Sequence, residues 1–269
     1  MSNAKGEIDG VLIHAVDVTE QVNARQKKDE FIGIASHELK TPVTSLKAYT
    51  QLLQRRSQKA DDERMTEILR KMDGQLNKLN SLIGDLLDVT KIEGGKLQFH
   101  LATFDYNALV AETVEDIQRT ASKHTIVQEL STPLSLFADR DRIGQVLINL
   151  LTNAIKYSPQ AGTILVKTTQ TDEAVTTSVQ DFGIGIAKEK QPYIFERFFR
   201  VEGEQQTTFP GLVLGLYIAA EIVRRHQGAI WVESEEGKGT TIAFSLPLNG
   251  TNKEEQEYGA EKEEDFNRR

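Results

Sequence analysis

From Met65 to Leu86 the chain places apolar residues at alternating steps of four and three, through Leu69, Met72, Leu76, Leu79 and Ile83. Such spacing keeps one side of a helix apolar over three heptads, the stripe of a coiled coil or helical bundle. Upstream, Leu39, Val43, Leu46, Thr50 and Leu53 alternate in the same way, which predicts a first helix over residues 21–56. The stretch "SQKADDE" separates the two. Two long helices joined by a short loop form a hairpin whose apolar stripe needs more partners than one copy provides. A homodimeric four-helix bundle supplies them.

Paired glycines in "IEGGKLQF" break this period and start a strand, so a domain boundary is expected near Gly94 and Gly95. Beyond it the patterns mix. Helices are expected over 105–121, 140–157 and 214–226. Strands are expected near 124–130, 134–138, 163–170, 174–180, 229–234 and 240–246. That order predicts an α+β two-layer sandwich, with helices layered on one mixed sheet over residues 95–248. Residues 249–269 hold seven acids against four bases and almost nothing apolar, the composition of a disordered tail. At the other end, "EIDGVLIHAVDVTE" is a single β-branched run without partner strands nearby. It reads as the severed end of a preceding domain, and Met1 to Ala4 as an expression-vector remnant.

Composition excludes several classes. A formal charge of −8 with no basic stripe argues against a nucleic-acid partner. The longest uncharged window, Gln205–Ala220, falls short of the ~20 apolar residues of a membrane helix, so no membrane contact is expected. No cysteine is present, which rules out disulfides, thiolate catalysis and Cys-ligated zinc and suits a reducing cytoplasm. The five histidines show no metal-ligand spacing.

The first chemical motif is "SHELKTP". On a helix Thr41 shares the face of His37, Glu38 lies ~100° round, and Pro42 bends the helix beside them. Taken alone, His37 could be a solvated residue of an amphipathic helix. In its setting the motif resembles the H-box of sensor histidine kinases of the commonest dimerisation class. The resemblance implies that His37 accepts the γ-phosphate, Glu38 takes the proton from the other ring nitrogen, and Thr41 orients a water that hydrolyses a phosphorylated response regulator.

The second motif is "QVLINLLTNAIKYSP". It sets Asn149, Asn153 and Lys156 on one helix face, while Val146, Leu147, Leu150, Leu151, Ala154 and Ile155 fill the other. Asparagine is a mediocre helix former, so two of them one turn apart beside a lysine point to a ligand, although caps or helix-to-helix bonds are the simpler alternative. The spelling resembles the N-box of the GHKL ATPases. There the first Asn, here Asn149, holds Mg²⁺, and the second Asn and the Lys reach the phosphates of ATP. Tyr157 would line base and ribose.

"VQDFGIGI" resembles the same family's D-x-G-x-G-I box. Asp181 would accept from the adenine amino group, followed by Gly183, Gly185 and Ile186, the glycines allowing close backbone approach. The protein-kinase reading of "DFG" fails for want of the other kinase motifs. "YIFERFFRV" resembles the F-box, with Arg200 reaching the γ-phosphate across a mobile lid. "GKGTT" resembles the family's last strand pair, with Thr241 near the adenine. The match covers residues 21–248 in the family's motif order, and the leading strand resembles the end of a PAS sensor domain.

One departure stands out. The family's second Gly box reads G-T-G-L-G-L, whereas this chain has Gly211, Leu212, Val213, Leu214, Gly215 and Leu216. A β-branched Val213 would obstruct close approach of a phosphate to the helix N-terminus. The resemblance implies a homodimeric protein-histidine kinase that uses ATP and Mg²⁺ and passes phosphate to a response-regulator Asp. Two rivals remain. One is a dimeric scaffold or phosphatase with an impaired nucleotide site, which Val213 favours and Asn149, Asn153, Lys156 and Asp181 oppose. The other is a clamp-forming ATPase of the gyrase kind, against which "SHELKTP" on a heptad hairpin argues.

Overall fold

The computed structural model of the chain describes residues 35, 39–53, 62–197, 199 and 214–248. The expected PAS-like strand, most of the first helix's start, His37, Glu38, Arg200, Gly211, Leu212, Val213 and the acidic tail lie outside the described residues.

Helix α1 covers residues 39–53, and α2 runs for 32 residues from Asp62 to Glu93. The heptad stripe of α2 is incompletely covered within one chain: Leu69, Leu76 and Ile83 remain 52%, 46% and 43% exposed. Toward the helix end the burial changes, and Leu82, Val89 and Ile92 are buried. Gly95, at a φ of 65°, ends α2, with its N–H on the Ile92 carbonyl and the Lys96 N–H on Lys91. This is the left-handed helix stop that glycine permits. The strand expected directly after the glycines begins later, at Ala102, because residues 96–101 take no regular structure.

The second region follows as β1 (Ala102–Asp105), α3 (Tyr106–Thr120), β2 (Thr125–Glu129), β3 (Ser135–Ala138), α4 (Arg140–Tyr157), β4 (Thr163–Gln170), β5 (Ala174–Asp181), α5 (Gly215–Arg225), β6 (Ala229–Glu235) and β7 (Gly239–Pro247), with a 3₁₀ turn at Gln191–Tyr193. Asp105 and Asp139 cap α3 and α4 by accepting from the N–H groups of Ala108 and Arg142. Five strands form one sheet in the order β2-β4-β5-β7-β6, with β2 parallel to β4 and the other pairs antiparallel. β1 and β3 pair with each other in a separate two-stranded sheet, a division that the expected single sheet lacked.

One face of the large sheet is buried. Val175, Thr177, Val179 and Asp181 of β5 alternate inward beside Thr240, Ile242, Phe244 and Leu246 of β7. Val146, Leu147, Leu150 and Leu151 of α4 and Ile218 and Ile222 of α5 are buried in the same core. Tyr106 is fully buried and bonds its hydroxyl to Thr177, so the one polar atom it brings inside is satisfied. Among the described residues, no helix is long and apolar enough to cross a membrane.

The last turns of α2 rest on this second region. The Asp88 carboxylate accepts from Arg142 at 2.9 and 3.0 Å and from Gln145 Nε2 at 2.7 Å. Arg225 donates to the Ile92 carbonyl, and Arg197 pairs with Glu93. Burial, and then the neighbouring Asp88 charge, push the Asp85 carboxyl up to about 6 from its ordinary value of 3.8. A carboxyl raised in the folded state costs stability while ionised, and the cost is relieved as pH falls through about 6 toward 3.8. Asp85→Asn should therefore raise the urea midpoint near neutral pH, with the gain over wild type shrinking at about pH 4.5. An equal gain at both pH values would show that Asp85 does not carry this cost.

Candidate functional site

The functional side chains gather where the C-terminal end of β5 meets α4 and the start of α5. On α4, Asn149, Asn153, Lys156 and Tyr157 are all half-buried, while Leu150, Leu151 and Ala154 between them enter the core. Asn149 Nδ2 donates to the Gly215 carbonyl at 3.0 Å, which ties α4 to the first turn of α5. Its Oδ1 accepts no hydrogen bond among the described residues, so a neutral, hard oxygen is left for a ligand. A Cβ on Gly215 would stand 3.1 Å from that oxygen. Lys156 places its ammonium 4.9 Å over the Tyr157 ring, a cation–π contact that holds it beside the end of α4.

Asp181 is the last residue of β5 and is only 6% exposed. Its Oδ1 accepts from the Gly183 N–H at 2.9 Å. Burial pushes its carboxyl above the ordinary range, and the Gly183 and Thr240 N–H groups oppose the shift. A buried acceptor held by two backbone donors suits recognition of a ligand N–H.

The loop after Asp181 packs tightly against its own chain. A Cβ on Gly183 would lie 2.1 Å from the Tyr157 carbonyl oxygen, and one on Gly185 would lie 2.1 Å from that of Glu235. Gly185 also has a φ of 67°. The glycines thus admit neighbouring backbone, whereas the sequence suggested only freedom at strand ends and room for a ligand. The Ile184 N–H bonds the Tyr157 carbonyl, and Gly237 donates to Ile184, which locks the loop between α4 and the β6–β7 turn. Ile186 packs beside the core, and its N–H donates to Ser234 Oγ.

Three expected contacts are corrected. Thr241 pairs with Gln180 and Glu233, on the sheet face turned away from Asp181, because alternation puts it opposite its neighbour. Thr240 is the residue across from Asp181, buried on the same face, and the adjacent threonines in the sequence gave no means of choosing between them. Leu214 and Leu216 are buried at 0% and 9% exposure and belong to the core, since the start of α5 turns these two inward and Gly215 toward Asn149. Thr41 lies exposed on α1, next to the buried Pro42. Sequence reasoning also missed Ser158, fully buried where α4 ends, whose carbonyl and hydroxyl both meet His124 Nε2. Its place directly after "KY" at a helix end is the signal that could have found it.

Comparison with known proteins assigns both regions to families. Residues 27–95 match the His Kinase A (phospho-acceptor) domain, and residues 138–250 match the histidine kinase-, DNA gyrase B-, and HSP90-like ATPase family. The sensor histidine kinase WalK of Bacillus subtilis (strain 168) is 36% identical over 256 residues, which is 94% of this chain and 41% of that protein. The Staphylococcus aureus sensor protein kinase WalK is 33% identical over 246 residues, 90% of this chain and 59% of its own. The chain thus spans about half the length of the curated relatives it matches. Among solved structures, the Acinetobacter baumannii histidine kinase AdeS superposes with a TM-score of 0.60 at 27% identity, covering 79% of this chain and 98% of that one. Full-length ShkA in complex with AMPPNP gives a TM-score of 0.60 at 27% identity, covering 82% and 46%.

The close approach at Gly183 is testable. Gly183→Ala should weaken ADP binding about tenfold or more in calorimetric titration, because the added methyl must displace the end of α4. Gly74→Ala, which meets nothing within 4 Å, should leave binding unchanged. Wild-type affinity in Gly183→Ala would contradict the tight loop.

Proposed function

The chain belongs to the two-component sensor histidine kinases, and on that premise we propose that it phosphorylates His37 from ATP and passes the phosphoryl group to an Asp of a response regulator. The observation that carries this reading is the convergence of Asn149, Lys156 and the buried Asp181 on one corner of an ATPase-family fold, attached to a phospho-acceptor hairpin.

In this reading Asp181 selects the base by accepting from the adenine amino group, and Tyr157 lines the base and ribose. Asn153 and Lys156 approach the phosphates. Asn149 fits a Mg²⁺ site: its Nδ2 is committed to Gly215, which leaves Oδ1 as the acceptor, and an amide oxygen is a hard ligand. No group of three or more His, Cys, Asp or Glu that could hold a metal occurs among the described residues, so Asn149 would share the ion with phosphate oxygens and water. When bound, Mg²⁺ neutralises charge on the transferring phosphoryl group. His37 attacks the γ-phosphorus through a ring nitrogen; the N–P bond forms as the bond to the ADP oxygen breaks, and Glu38 takes the proton from the other nitrogen. Thr41, on α1, orients the water that later removes phosphate from the partner.

Dimerisation completes the hairpin. The exposed Leu69, Leu76 and Ile83 on one stripe of α2 would be buried by a second copy in a four-helix bundle, at about 25 cal/mol for each Å² of apolar surface covered.

Incubation with γ-labelled ATP and Mg²⁺ should give label that is acid-labile and base-stable. His37→Gln should abolish it while ADP binding persists, because acceptor and nucleotide lie in separate regions. Label persisting at normal levels in that variant would remove His37 from the reaction.

A further inference from the structure

The loop from Asp181 to Ile186 is fixed at its far end by residues that the nucleotide reading leaves without a role. The Ile186 N–H donates to Ser234 Oγ at 2.8 Å, and the Ile186 carbonyl accepts from Gln191 Nε2 at 2.9 Å. The same Nε2 donates to the Ser234 carbonyl at 2.8 Å. Both polar backbone groups of Ile186 therefore close onto β6 and the 3₁₀ turn. Ser234 Oγ also donates to the Gly239 carbonyl at 2.8 Å and lies 2.9 Å from Thr240 Oγ1. A serine hydroxyl has one proton and two acceptor positions. With its proton on Gly239, Ser234 accepts from Ile186 and from Thr240, and its capacity is full.

Strand register makes these bonds one unit. Ser234 stands opposite Thr240 in the β6–β7 pair, and Thr240 stands opposite Asp181 in the β5–β7 pair. Directly opposed residues share a sheet face. Asp181, Thr240 and Ser234 thus form a polar row across three strands. Two glycines at positive φ, Gly185 at 67° and Gly239 at 115°, lie between these anchors. Glycine imposes little conformational preference of its own, so the bonds to Ser234 and Gln191 decide where the loop lies.

We propose that Ser234 and Gln191 are positioning residues for nucleotide recognition, which hold the 181–186 loop so that the Asp181 carboxylate faces the amino group of an adenine base while touching no part of the nucleotide themselves. This role presupposes the reading of Asp181 as the base-selecting group. It differs from a purely stabilising role in one respect: losing it changes which base is preferred, beyond how firmly the fold holds.

The test is calorimetric titration of the full chain with ADP and with inosine diphosphate, which has a carbonyl where adenine has its amino group. Ser234→Ala removes the acceptor for Ile186 and the donor to Gly239. It should lower ADP affinity about tenfold and inosine diphosphate affinity much less, so that the preference for ADP shrinks. Ser234→Thr keeps the hydroxyl and should restore the preference. Gln191→Leu, which strips the donor from Ile186 and Ser234 without altering a strand, should shift the ratio in the same direction and serves if Ser234→Ala fails to fold. An ADP-to-inosine-diphosphate ratio unchanged in these variants would overturn the proposal and leave both residues structural. A wild-type chain with no preference for ADP would instead overturn the reading of Asp181, and the proposal with it.

Discussion

The end of the large sheet depends on contacts that a single added carbon would destroy. At Gly183, Gly185 and Gly239 a Cβ would fall within 2.1 to 2.2 Å of a backbone carbonyl oxygen of Tyr157, Glu235 or Asp181. Distances that short are repulsive for any real methyl, so only glycine lets the end of α4, the 181–186 loop and the β6–β7 turn meet. Their meeting forms the corner where Asp181 is buried, beside the helix that carries Asn149. The polar chemistry of the site follows from this backbone packing, because Asp181 could not be both buried and doubly hydrogen-bonded if the loop stood further away.

A second constraint joins the hairpin to that corner. Asp88, 12% exposed at its side chain, gathers Arg142 and Gln145 from the first turns of α4, the helix that carries Asn149 and Asn153 further along. Arg142 and Gln145 also bond each other, so the carboxylate meets a prepared pair of donors. Just past the end of the heptad stripe at Leu86, α2 thus exchanges an exposed apolar face for a buried ionic contact at Asp88. The same helix carries both the exposed heptad stripe and the contacts with α4 and α5, and the glycine stop at Gly95 ends it where its docking is complete.

Much of this was legible in the sequence where the cause is local. The heptad of α2 and the one-sided pattern of α4 depend on residues a turn or two apart, and the expected span of 140–157 coincides with the helix. Asn149 and Lys156 were likewise marked by residue types that a bland helix would not choose, whereas Asp181, a common residue at strand ends, was marked only by the resemblance of its box. What escaped was set by distant partners. The separation of β1 and β3 from the main sheet, the Asp88–Arg142 pair 54 residues apart, and the choice of Thr240 over Thr241 all depend on register and packing that one strand cannot announce. Leu214 and Leu216 sit in a stretch spelled like a phosphate loop, yet apolar side chains at the start of α5 belong to the core once the helix docks on α4.

On the proposed reading a nucleotide sits in the corner formed by α4, the 181–186 loop and the first turn of α5. Amide spectra recorded while the full chain is titrated with ADP and Mg²⁺ test it most directly. The largest changes should fall on the side-chain amides of Asn149 and Asn153 and on the backbone amides of Gly183 and Gly215, with Gln180 and Thr241 on the opposite sheet face little affected. Changes concentrated around Gln180 and Thr241, with those four amides unmoved at saturation, would contradict the placement of the site.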